Sequence, residues 1–114
     1  MQANTFYISL TPQQAVPMID DFIQRGSITG ELIDRFVADS PNGGHCVISI
    51  YEKHFWRAGN RLTLTVTIDD FYGKTRVHTV GGGGGSGIIN FDWGAAESFS
   101  NSVRRSLGRI LSRE

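Results

Sequence analysis

Along this chain, apolar residues alternate with polar ones at a strand period in some stretches and recur at a helical period in others. Phe6, Ile8 and Leu10 alternate with Tyr7 and Ser9, which predicts a short strand. Thr11 then offers a helix N-cap, with Pro12 at the first helical position, where a missing N–H costs nothing. Ala15, Ile19, Phe22 and Ile23 share one helical face, with Val16 at its edge, and Gly26 closes the helix. Pro17 falls on the polar side, where water can satisfy the carbonyl it frees. Asp20 and Asp21 are expected on the solvent side of the same helix.

Strands dominate the middle of the chain. Glu31 to Ala38 is a candidate strand, closed by the turn Ser40-Pro41-Asn42-Gly43-Gly44. His45 to Phe55 sets Cys46, Ile48 and Ile50 on one face, with Val47, Ser49 and Tyr51 on the other. Arg61 to Asp69 alternates most clearly, with Leu62, Leu64, Val66 and Ile68 opposed to Thr63, Thr65 and Thr67. Such alternation describes an antiparallel sheet with one buried face and one wetter face. Ala58-Gly59-Asn60 and Tyr72-Gly73-Lys74 supply hairpin turns, and Thr75 to Val80 returns as the next strand. Ile88 to Phe91 either extends that strand or forms a short one of its own. A last amphipathic helix is predicted over Ala95 to Leu111, with Phe99, Val103, Leu107, Ile110 and Leu111 as its stripe.

The expectation is an α+β domain spanning residues 1–114 in the order β-α-β-β-β-β-α. One curved antiparallel sheet of five strands, or six with Ile88–Phe91, should carry both helices on one face. At 114 residues the chain has the size of one domain and can bury a core without disulfide or metal staples. Its 11 basic and 11 acidic residues cancel, which argues against a dedicated nucleic-acid binder. The lone Cys46 suits a reducing compartment, and no stretch is apolar enough to cross a membrane, so a cytoplasmic protein is expected.

The element order resembles a single unit of the TATA-binding-protein-like fold and, less closely, the helix-grip fold. A second resemblance rests on residues: Gly26-Ser27-Ile28-Thr29-Gly30, Leu62 to Thr67, and the glycine tract leading into Phe91-Asp92-Trp93-Gly94-Ala95-Ala96-Glu97-Ser98-Phe99. Together they are similar to a family of small bacterial proteins, mostly Gram-positive, known as a domain of unknown function. That resemblance implies a cytosolic bacterial protein with a native glycine tract, and no activity.

Candidate chemistry is sparse. Gly82, Gly83, Gly84, Gly85, Ser86 and Gly87 form a loop that could bind an anion through its backbone N–H groups, although no Lys follows it. Cys46 and His45 point to opposite faces of a strand, so they make no catalytic pair, and Cys46 is expected buried beside Ile48 and Ile50. Asp69, Asp70, His54 and His78 lack the spacing of a metal site, and Asp69-Asp70 reads as turn chemistry. No catalytic residue, metal or cofactor is expected. The aromatics are richer than a small core needs and can fill the core, form a dimer patch or line a cavity; for a small apolar ligand, Phe36, Tyr51, Trp56 and Trp93 are the expected pocket walls.

The sequence therefore favours a non-enzymatic binding module. Its partner would be a second copy in a homodimer, another protein, or a small apolar ligand held between helices and sheet. The alternative is a small enzyme or anion-binding protein built on the loop 82–87 and His78, and a third reading is weak nucleic-acid binding by the polar sheet face.

Overall fold

The computed structural model describes residues 2–25, 30–55 and 60–83. Five strands and one helix follow in the order β1 (Gln2–Ile8), α1 (Pro12–Arg25), β2 (Glu31–Asp39), β3 (His45–Phe55), β4 (Asn60–Asp69) and β5 (Thr75–Gly83). All neighbours are antiparallel, in the spatial order β1-β5-β4-β3-β2. This is an α+β architecture with one sheet, and one helix among the described residues. The predicted second helix, the strand Ile88–Phe91, Trp56 and Trp93 lie outside those residues.

Local chemistry starts α1 at the Thr11-Pro12 signal. The Thr11 N–H donates to Gln14 Oε1 at 3.0 Å, and the Gln14 N–H donates to Thr11 Oγ1 at 3.1 Å. This reciprocal capping box satisfies donors that the first turn leaves open. Two of the described reversals use glycine at positive φ, Gly43 (φ 97) between β2 and β3 and Gly73 (φ 88) between β4 and β5. Both positions lie in the left-handed region that other residues enter at a cost.

The four branched side chains of β4 decide which face is core. Leu62, Leu64, Val66 and Ile68 are buried to 1% exposure or less. In-register partners share a face, so Val47, Ser49 and Tyr51 of β3 stand with Ile68, Val66 and Leu64 on that side. Phe6 and Ile8 of β1, Val77 of β5, and Ala15, Ile19 and Ile23 of α1 complete the cluster. Burying each such aliphatic side chain contributes about 1.5–3 kcal/mol. Three expectations change here. Cys46, Ile48 and Ile50 lie on the face opposite the helix, and Cys46 is half-buried rather than enclosed, because β4 fixes the core side of β3. The first strand begins at Gln2, since β1 pairs with β5 from Gln2↔Gly81 to Ile8↔Thr75 and Leu10 lies beyond it. β5 runs on into the glycine tract, with Gly82 opposite Thr63 and Gly83 opposite Leu62.

β2 carries a bulge between Leu32 and Asp34. The extra residue turns the strand over, so that Arg35, Val37 and Asp39 join Leu32 on the helix side. The open face then reads in rows across the sheet. Tyr7, Arg76, Asp69, Cys46 and Ala38 form one row; Thr5, His78, Thr67, Ile48 and Phe36 form the next. Val80, Thr65, Ile50 and Asp34 make the third, and Gly82, Thr63, Glu52 and Glu31 the fourth.

Candidate functional site

Where α1 crosses β2 and β3, a charged cluster sits under the helix. Tyr51, only 1% exposed, donates its hydroxyl to Asp20 Oδ1. Arg35 Nη2 donates to the same oxygen at 2.5 Å, and Arg35 Nε donates to Ser49 Oγ at 3.0 Å. Asp20 thus points at the sheet, not at solvent, and correcting that expectation explains the cluster. It follows Ile19 and lies at the edge of the apolar stripe, close enough to reach strands that the helix covers. Arg35 reaches it only because of the β2 bulge.

The electrostatics follow from burial and pairing. Burial raises the Tyr51 hydroxyl far above its ordinary range, and the hydrogen bond and charge of Asp20 add to that, so the phenol stays neutral. Burial would lower the Arg35 guanidinium, but Asp20 outweighs it and the net shift is upward. A half-buried ion pair with a shared acceptor holds α1 in one position over the strands; alone, it is weak evidence of stability.

Beside this cluster lies a groove of about 400 Å3, lined by Gln13, Val16 and Pro17 of α1 and by Arg35, Val37, Asp39, His45 and Val47 of the sheet. Pro17 has no N–H to give the Gln13 carbonyl four residues earlier, and both residues border the groove. At the far end His45 Nδ1 and Asp39 Oδ1 are 2.8 Å apart. That hydrogen bond raises the His45 pKa, against a smaller opposing effect of desolvation. The His45 backbone is fixed in turn, because its N–H donates to Asp70 Oδ1 at 2.7 Å and its carbonyl accepts from the Asp70 N–H at 3.2 Å. Asp70 therefore does serve the turn, as its position in sequence suggested. A second hollow, of about 350 Å3, lies near the start of α1 against the β4–β5 turn, between Ile8–Thr11 and Gly73–Thr75.

Of the four residues expected to wall a pocket, Trp56 and Trp93 lie outside the described residues, and Phe36 and Tyr51 lie on opposite faces of the sheet. Tyr51 is in the core under α1, whereas Phe36 lies on the open face and is 59% exposed. Gly82 and Gly83 are ladder residues of β5, and Gly84, Gly85, Ser86 and Gly87 lie outside the described residues. His78 Nδ1 is 2.8 Å from Thr5 Oγ1 on the open face. Asp69 Oδ2 accepts from Arg76 Nε at 3.1 Å and Nη2 at 3.0 Å, and Arg76 lies 5.1 Å from the Tyr72 ring centre. No group of three or more metal-ligating side chains converges among the described residues.

One comparison places the chain. A family model described as "Family of unknown function (DUF6054)" matches residues 1–111. The chain belongs to that family. Neither a curated protein nor a solved structure matches it. The DUF6054 match supports no activity, so the chemistry of this site has to be argued from its own residues. Among the described residues, no helix is long and apolar enough to cross a membrane.

Sequence reasoning missed the DUF6054 chain's groove for two reasons. The bulge in β2 reverses the facing of every residue from Arg35 onward, and nothing in Glu31-Leu32-Ile33-Asp34 announces it. Pro17 was the available signal. A proline inside a helix frees one carbonyl, here that of Gln13, and both Gln13 and Pro17 line the groove.

Proposed function

We propose that this protein is a binding module that holds a small, mainly apolar molecule in the groove between α1 and the β2–β3 edge. The observation that carries the reading is the groove itself, whose volume falls in the range typical of ligand sites. Val16, Pro17, Val37 and Val47 receive the apolar part of the molecule. Gln13, Arg35 and His45, which also line the groove, carry donors and acceptors for a polar end. The Asp20–Arg35–Tyr51 cluster keeps the two walls at a fixed separation, which reduces the ordering cost of binding.

The strand order with its β1–α1–β2 crossover supports the likeness to a TATA-binding-protein-like or helix-grip unit. On the same reading the protein is cytoplasmic, since its single half-buried Cys46 suits a reducing compartment.

Titration of the labelled protein with octanol, octylamine and octanoate, followed by amide NMR shifts, tests this. At least one of the three should produce saturable shifts centred on Val16, Val37 and Val47, and Val37→Trp should abolish them by filling the groove. Val37 is 56% exposed, so the larger ring is accommodated without disturbing the core. No saturable shift with any probe, or shifts centred elsewhere, contradicts the reading.

A further inference from the structure

The open face of the sheet, on the side away from the groove, has charge in two opposite corners. At one corner, Lys74 and Arg76 stand with Asp69; Lys74 Nζ lies 5.9 Å from the Tyr7 ring, which places it on this face. Diagonally across, at the other end of β2 and β3, the described side chains are the carboxylates of Glu31, Asp34 and Glu52. Between the corners run Ile48, Ile50 and the threonines of β4, with Phe36 exposed at the β2 edge.

We propose that this face docks on the same face of a second copy, around a two-fold axis lying along the uncharged diagonal, from Ala38 past Ile48 and Val80 toward the β1 edge. Strands about 4.8 Å apart and rows about 7 Å apart make the five-strand, four-row face nearly square, roughly 20 Å on a side. A two-fold on the diagonal of a square exchanges the other two corners. Arg76 then lies over the partner's Asp34, and Lys74 over the partner's Glu31, each pair occurring twice. Ile48 sits beside the axis and meets its own copy. The strands of the two sheets cross near a right angle, an established mode of sheet packing.

Two arguments favour a second copy over other occupants. The charges are complementary to themselves under a symmetry that protein dimers commonly use. The face covers roughly 400 Å2 in flat projection, about half of the roughly 800 Å2 per partner of a standard interface, which suits a weak, reversible dimer. The rim ion pairs set orientation, and Ile48, Ile50 and Phe36 supply the apolar centre.

Sedimentation velocity of the full chain, from 1 to 200 µM, tests the arrangement. A reversible dimer is expected. Glu31→Lys and Lys74→Glu should each weaken it about tenfold by setting like charges together twice, and the double variant should restore it. Ile48→Asp should leave only monomer. Thermal melts of each variant, unchanged from the wild-type monomer, confirm that folding is intact, since Glu31 and Lys74 are exposed. A chain that stays monomeric at 200 µM overturns the proposal. So does a dimer indifferent to Ile48→Asp, or a double variant no tighter than the singles. Co-purification of a different protein or nucleic acid, displaced by Ile48→Asp, assigns the face to that partner and overturns it equally.

Discussion

Leu64 and Thr65 are neighbours on β4, yet they belong to two different regions of the molecule. Leu64 is fully buried on the face that α1 covers, among aliphatic side chains from β1, β4, β5 and the helix. Thr65 stands half-buried on the other face, between Ile50 and Val80. One region is closed by packing and by a charged anchor; the other is tiled with threonines, isoleucines and two corners of opposite charge. The difference teaches that stability and recognition are divided between the faces, with the groove at the margin where helix and sheet part.

The sharpest way to break that division is truncation on both sides of one strand. Leu64→Ala should cost about 2–5 kcal/mol in chemical unfolding, from lost burial and the cavity left behind. Thr65→Ala should cost less than about 1 kcal/mol. Equal losses would erase the distinction between the faces.

Next in size is the anchor. Tyr51→Phe deletes the hydroxyl that Asp20 receives and should cost about 1–3 kcal/mol, read from urea midpoints. The same group gives a pH signature. Its pKa is raised in the folded protein, so its contribution is complete below pH 10 and is lost as pH rises toward the native value. Wild-type stability should therefore fall above pH 10 more steeply than that of Tyr51→Phe. Parallel alkaline profiles would show that the hydroxyl is not held by Asp20.

The smallest effect lies at the groove's end. His45 is raised by Asp39, so the pair adds stability that is complete below the ordinary histidine pKa and disappears as pH climbs through the raised one. Melting temperature should decline slightly from pH 6 to 8, and Asp39→Asn should flatten that decline. Exposure keeps the effect small.

Much of the fold was legible because periodicity reports burial directly. The β4 alternation named the core face, Thr11-Pro12 announced the helix start, and Gly43 and Gly73 fell in segments read as turns. The β1 boundary was not legible, since Gln2, Ala3 and Asn4 join a strand only through their partner β5. Which face of β3 is core was equally hidden, because both of its faces read as apolar and β4 alone decides between them. The candidate site was the least visible part. It depends on a one-residue bulge and on an aspartate turned inward from a helix edge, and both are settled by tertiary pairing rather than local sequence.

The central claim, that the helix side carries the fold and the open side is left for binding, rests on residues of one kind in two places. Val66 and Ile48 are β-branched aliphatics on adjacent strands, facing opposite ways. Urea unfolding of Val66→Asn and Ile48→Asn, at concentrations where the chain is monomeric, compares them directly. The account predicts that Val66→Asn removes most of the stability, while Ile48→Asn costs about 1 kcal/mol or less. Losses of similar size in both variants would contradict it, because the open face would then be core.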